Sequence, residues 1–238
     1  MTAGMSYISF SVADVRVGAD FHSERDSQLI FGEEVKVISE SDDYLYVEGA
    51  DKLKGYVLRT LVSEGRKKNY KIRRNYRSTR MIFPFGSCVN DEDISEHDIP
   101  ENLLMKLEER LEPSESAHEF LTVPYLWGGT SDLGYDCSGF TQRLFRFNGI
   151  EIPRNAGWQR DNSLTVDSFE DAESGDLVFF EGHVGLYLGN NTIIHANLHN
   201  GGVTYSDLSD GSEYSQLLLK IFEKVGRIDR STRISLPY

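Results

Sequence analysis

Cys137 stands in Tyr135-Asp-Cys-Ser-Gly-Phe140, just after Pro124-Tyr-Leu-Trp-Gly-Gly-Thr130. A cysteine attacks or ligates as its thiolate, so its surroundings decide its chemistry. Asp136 is a good helix N-cap, able to accept from the free backbone N–H groups of Ser138 and Gly139. Phe140, Leu144 and Phe147 then recur at helical spacing, and Gly149 is placed to end the helix. Cys137 is therefore expected on the first helical turn, where the helix dipole lowers a thiol pKa and backbone amides can hold a developing oxyanion. A lone buried cysteine is by default a small core hydrophobe. Here a cap, a helix start and the Gly128-Gly129 loop coincide, which favours a nucleophile.

A nucleophilic cysteine needs a base. Leu177-Val-Phe-Phe180 reads as a strand, Glu181-Gly182 breaks it, and His183-Val-Gly-Leu-Tyr-Leu188 and Thr192-Ile-Ile-His-Ala196 are two further strands around a turn at Gly189-Asn-Asn191. Loop length decides whether the two histidines cooperate. A three-residue loop pairs Leu188 with Thr192 and sets His195 opposite Gly185, with His183 diagonal to it on the same face. A two-residue loop puts them on opposite faces, and the sequence permits either. In the first case Cys137 attacks, His183 takes its proton, His195 orients His183, and Gly185 leaves room beside the imidazoles.

Six blocks carry a resemblance: Tyr125-Leu-Trp-Gly-Gly129, Asp136-Cys-Ser-Gly139, Ile152-Pro-Arg154, Gly175-Asp-Leu-Val-Phe-Phe180, His183-Val-Gly-Leu-Tyr187 and Ile194-His195. In this order they resemble the NlpC family of bacterial cell-wall cysteine peptidases, over about half of the chain. The resemblance implies an α+β, papain-like peptidase domain with a Cys137, His183, His195 triad. It also implies cleavage of peptidoglycan stem peptides between γ-D-glutamate and the diamino acid, with the Tyr125 hydroxyl helping to hold the oxyanion. Asp136, Ser138, Arg154 and Asn155 complete the expected oxyanion and substrate-binding set. Arg154 would pair with a substrate carboxylate or form a structural salt bridge. In the subfamily that trims free stem peptides, the residue after Pro-Arg is commonly an aspartate holding an N-terminal ammonium. Asn155 occupies that place and adds no countercharge, which weakens selectivity for a free amine unless Asp132, Asp161 or another acid compensates.

The elements that must position these groups follow from the remaining pattern. Residues 1–65 read as all-β: Tyr7 to Val17 alternates, and Val35-Lys-Val37, Tyr44-Leu-Tyr-Val47 and Gly55-Tyr-Val57 are short strands. Ala13-Asp-Val-Arg16, Gln28-Leu-Ile-Phe-Gly-Glu33 and Gly55-Tyr56 resemble the bacterial SH3-like domain, so a small β-barrel is expected before the peptidase. Tyr44, Tyr46 and Tyr56 are read as core and rim more than as a ligand platform. Residues 66–112 read as a linker with a possible degenerate second SH3-like unit: an acidic loop at Asp91-Glu-Asp93, then a helix from about Glu101 to Leu111 behind Pro100. The peptidase domain is expected over 113–238, with Ser114 capping a short helix, Asp176 as a turn residue or hydrogen-bond anchor, a helix from about Ser212 to Val225, and a closing strand beginning at Arg227-Ile228.

The 238 residues suffice for two small domains, and a net charge of −13 disfavours nucleic acid and anionic membranes. Eight basic residues from Arg66 to Arg80, with Tyr70 and Tyr76 among them, hint at RNA, but such a run is more often a solvated connector. Two cysteines make no disulfide framework; Cys88 is read as structural, and both are expected reduced. No apolar run of about 18 residues and no leader pattern is present, so a cytoplasmic location is expected. His195-x-x-x-His199 joins two ligands only on a helix, and Thr192-Ile-Ile-His reads as strand, so no metal or other cofactor is expected. His22, His97, His118 and His199 receive no role. The expectation is a cysteine endopeptidase acting on soluble peptidoglycan fragments in turnover or recycling. Two alternatives stay open: other amide chemistry on the same fold (a muramoyl-alanine amidase or an acyl transferase), and a non-catalytic murein-binding protein.

Overall fold

The computed structural model describes residues 6–65 and 67–229. Their contacts divide into two units: the described residues up to 109 with Thr130–Asp132, and Arg110–Gly129 with the described residues from 133 on.

The first unit begins with β1 (Ser6–Ile8), β2 (Val12–Arg16), β3 (Arg25–Ile30), β4 (Glu34–Ser41), β5 (Tyr44–Glu48), β6 (Lys54–Leu58) and β7 (Val62–Glu64). They form one antiparallel sheet in the order β3-β2-β6-β5-β4-β1-β7. Alternate residues point inward, so Ile8, Ala13, Val15, Leu29, Val35, Leu45, Val47 and Val57 share one core. The alternating run from Tyr7 breaks at Ser9–Ser11 into two strands rather than one. Tyr44, Tyr46 and Tyr56 are half-buried, and the last two rings meet across β5 and β6 at 4.9 Å between centroids, tilted by 43°.

Residues 67–109, read from sequence as a linker or a degenerate second SH3-like unit, hold strands and a helix. They carry β8 (Tyr70–Ile72), β9 (Tyr76–Arg77), β10 (Ile82–Phe83), β11 (Cys88–Val89), α1 (Asp91–His97) and β12 (Leu104–Lys106). Phe31, Ile72, Phe83, Val89 and Ile99 form their common core. The expected acidic loop is α1, started by a capping box: Asn90 accepts from the N–H groups of Glu92 and Asp93, and Asp93 accepts from the Asn90 N–H. The expected helix after Pro100 is one 3₁₀ turn, Glu101–Leu103, because Leu104–Lys106 pairs with β8. Strand pairing here overrides a favourable helical composition. β13 (Thr130–Ser131) completes the elements of this unit.

The second unit opens with α2 (Pro113–Ala117), whose cap is Glu112 with Pro113 at the first helical position; Ser114 lies inside the helix instead of capping it. β14 (Gly134–Tyr135), α3 (Cys137–Phe147) and α4 (Ala156–Asp161) follow. Then come β15 (Leu164–Val166), β16 (Leu177–Phe180), β17 (His183–Gly189), β18 (Thr192–Asn197), β19 (Gly202–Asp207), α5 (Glu213–Lys220) and β20 (Phe222–Arg227). The sheet is antiparallel in the order β15-β20-β16-β17-β18-β19. α5 ends at Lys220, shorter than expected, and the closing strand ends at Arg227 instead of starting there. Asp176 anchors that end, accepting from Arg227 Nε at 2.9 Å.

The hairpin of β17 and β18 sets the histidine register by a route the sequence reading did not foresee. Gly189 pairs with Thr192 across a two-residue turn, in which Asn190 and Asn191 have φ of 50° and 56°. Such a left-handed pair suits Asn and makes a tight hairpin. Alone it would send His183 and His195 to opposite faces. A bulge between Tyr187 and Gly189 inserts one residue, after which Tyr187 pairs with Ile193 and Leu186 with Ile194. His195 is thereby returned to the place opposite Gly185, whose ideal Cβ would lie 3.3 Å from the His195 Cβ.

Candidate active site

α3 starts where it does because Asp136 caps it: one carboxylate oxygen accepts from the Gly139 N–H at 2.7 Å. The other accepts from the Gly128 N–H at 2.9 Å, which ties the Gly128-Gly129 loop to the helix start. Gly139 is required there, since a Cβ would sit 2.1 Å from the Gly129 carbonyl oxygen. Arg154 is 2% exposed and lies against both oxygens of Asp136, with Nη1 at 3.0 Å from Oδ1 and also 3.0 Å from Ser138 Oγ. Of the two roles the sequence left open, the geometry supplies the structural salt bridge: the guanidinium is spent on Asp136 and Ser138. A buried pair of this kind positions groups more than it stabilises the fold. Gln159 braces the same turn, donating to the Ser138 carbonyl at 2.9 Å and the Pro153 carbonyl at 2.8 Å, and accepting from the Thr141 hydroxyl at 2.8 Å.

Asp136 was expected to take the Ser138 backbone N–H as well. It takes the Ser138 hydroxyl instead, at 3.3 Å. The Ser138 N–H is left for the Cys137 sulphur, which also accepts from the Val184 N–H on β17. The thiol pKa moves opposite to expectation. Burial pushes it up to about 11, the Asp136 carboxylate adds to the rise, and the two N–H groups and Arg154 offset only part of it.

His183 and His195 do meet. His183 Nε2 lies 2.7 Å from His195 Nδ1, and His195 Nε2 lies 2.9 Å from the hydroxyl of Ser206 on β19. Burial lowers the His183 pKa to about 4, partly countered by Asp136, and holds His195 well below the usual imidazole range. Both shifts favour a neutral thiol and a neutral imidazole. The Tyr125 phenol is raised to about 12 by burial, then by negative charge at Cys137 and Asp136. It therefore stays protonated at neutral pH and is a donor near the sulphur. Asn155 is exposed at the N-cap of α4, with no side-chain capping bond.

Two neighbours escaped the sequence reading. Ser206 lies on β19, which Val203-Thr-Tyr-Ser206 between Gly202 and Asp207 signals by composition. Tyr214 of α5 stacks on His199 at 4.0 Å between ring centroids and lies 6.1 Å from the His195 ring. His199 is thus engaged with the Tyr214 ring. Among the described residues no group of three or more His, Cys, Asp or Glu side chains is placed to hold a metal ion. Cys88 and Cys137 are both free thiols. No helix among the described residues is long and apolar enough to cross a membrane.

Residues 122–221 match the NlpC/P60 family, and residues 15–60 match the bacterial dipeptidyl-peptidase Sh3 domain. The chain is similar to the gamma-D-glutamyl-L-lysine dipeptidyl-peptidase of Bacillus cereus, 45% identical over 85 residues, covering 32% of this chain and 25% of that protein. The corresponding Bacillus subtilis protein is 47% identical over 85 residues, 32% of this chain and 28% of its own length. The chain thus spans about a quarter of the length of these two relatives. Dipeptidyl-peptidase 6 of Lysinibacillus sphaericus is 26% identical over 248 residues, covering 84% of this chain and 90% of that protein. A crystal structure of an NlpC/P60 family protein from Bacillus cereus shares the fold, with a TM-score of 0.77 and 18% identity over 98% of this chain and 100% of that one.

Proposed function

From a chain that carries an NlpC/P60 domain behind a bacterial dipeptidyl-peptidase Sh3 domain, we propose a cysteine endopeptidase that cuts peptidoglycan stem peptides at the γ-D-glutamyl bond to the diamino acid. The observations that carry the reading are the Cys137 sulphur at the start of α3, held by the backbone N–H of Val184 on β17, and His183, the residue before Val184, hydrogen-bonded to His195. Relatives named gamma-D-glutamyl-L-lysine dipeptidyl-peptidases support the substrate class.

The chemistry follows from the protonation states. His183 Nε2 is engaged by His195, so Nδ1 is the nitrogen that takes the thiol proton as Cys137 adds to the carbonyl carbon. Backbone N–H groups at the start of α3 and the protonated Tyr125 hydroxyl stabilise the negative oxygen of the tetrahedral adduct. His183 then gives the proton to the leaving amine, and the Cys137 thioester remains. Water, deprotonated by His183, releases the acyl group and restores the thiol.

The test is hydrolysis of L-Ala-γ-D-Glu-diaminopimelate and its L-lysine counterpart, read by mass spectrometry, for the parent and for Cys137→Ala. Release of the free diamino acid by the parent alone supports the reading. Equal release by both proteins, or none by either, overturns it. N-terminal acetylation of the peptide should leave cleavage intact, because Asn155 supplies no charge to an ammonium.

A further inference from the structure

Resting on the cysteine-hydrolase reading above, we infer that Ser206 is a positioning residue that accepts the Nε2 proton of His195 and so keeps His195 Nδ1 bare toward His183 whenever His183 is charged. The argument follows hydrogens along the line of contacts. His183 Nε2 lies 2.7 Å from His195 Nδ1, and His195 Nε2 lies 2.9 Å from Ser206 Oγ. Once His183 holds the thiol proton, both of its nitrogens carry hydrogen, and Nε2–H can only donate. His195 must then present a bare Nδ1. A neutral imidazole has one proton, so it sits on His195 Nε2 and must donate in turn.

His195 is 0% exposed, so solvent does not offer that acceptor, and Ser206 Oγ does. Ser206 is placed for it by sheet register. It pairs with Ile193, two residues before His195 on the same face, and β19 is the last strand of the sheet. The half-buried hydroxyl can turn its own proton outward while its oxygen faces inward. The neutral His183 that receives the thiol proton on Nδ1 already carries hydrogen on Nε2, so the same direction of donation holds at rest, and polarisation along the line strengthens each bond as charge develops on His183. A residue acting this way alters turnover and its pH dependence, not substrate binding.

Ser206→Ala and Ser206→Thr provide the test, with kcat and KM measured across pH on the stem peptide the parent cleaves, and the histidine ring nitrogens followed by ¹⁵N NMR during acidification. Ser206→Ala should lower kcat about tenfold at unchanged KM. It should also move the acid limb and the His183 titration to lower pH, because the imidazolium loses its acceptor line. Ser206→Thr, which keeps the hydroxyl, should restore all three. The inference is overturned if Ser206→Ala keeps the parental kcat and acid limb, or if Ser206→Thr behaves as Ser206→Ala while melting like the parent. It is equally overturned if parental His195 carries its proton on Nδ1 once His183 is charged. The NMR arm needs no substrate. A parent that cuts no peptide would therefore sink the hydrolase reading, while the titration still decides the role of Ser206.

Discussion

Cys137 and His183 begin as a neutral pair, and this shapes the expected pH dependence. The base works only when unprotonated, so hydrolysis should fall as pH drops through about 4, the value to which burial lowers His183. On the alkaline side the proton to be passed on is lost as the thiol ionises near 11. Between these limits kcat/KM should be flat, with a broad plateau across neutral pH. A narrow bell centred near the ordinary histidine pKa would instead show a thiolate–imidazolium pair at rest, and would overturn this ordering. The sequence pointed to Cys137, His183 and His195 by residue type and spacing, yet it gave the wrong direction for the thiol. A helix dipole is visible in a capping pattern, whereas burial depends on which distant residues pack together, and here it outweighs the lowering by the Val184 N–H and Arg154.

At the scale of elements, the start of α3 is a packing constraint before it is an electrostatic one. A methyl group at residue 139 would meet the Gly129 carbonyl at 2.1 Å. Gly139→Ala should therefore lower stability by about 1–3 kcal/mol, seen as a reduced denaturation midpoint. It should also reduce hydrolysis, because backbone and nucleophile must part to make room. Unchanged stability would mean that the Gly128-Gly129 loop is free to move. This helix was legible in the sequence because its signals are local: a cap, an apolar stripe and a terminal glycine, Gly149 with φ of 71°. The hairpin beside it was legible only in outcome. Its register matches the three-residue reading, but through Asn190-Asn191 and a bulge at Leu188, and no local pattern distinguishes that combination. The segment from residue 67 to 109 hid its order for a related reason. Its strands are two or three residues long, and Ile72, Phe83 and Val89 pack together only once distant pairs have formed. The Asn90-to-Asp93 capping box was the one local sign that went unused.

For the whole molecule, a net charge of −13 coexists with eight basic residues between Arg66 and Arg80. Several of these are already committed. Lys68 is buried, pairs with Asp93 at 2.7 Å and lies over the rings of Tyr7 and Phe31. Buried Lys71 donates to the Glu109 carbonyl, and Arg80 pairs with Glu96. The protein should accordingly pass through a heparin column at near-physiological salt, where exposed charges act over roughly 8 Å. Retention would reveal a polyanion-binding strip on the first unit. The same burial that raises the Cys137 thiol to about 11 also governs how long the protein endures in air and peroxide. Oxidants and electrophiles react with the ionised sulphur, and such a thiol exposes only about one thiolate in ten thousand at neutral pH. If Cys137 is the nucleophile proposed above, it is chemically dormant between turnovers, and its working life is set less by oxidative wear than by how often a substrate arrives to wake it.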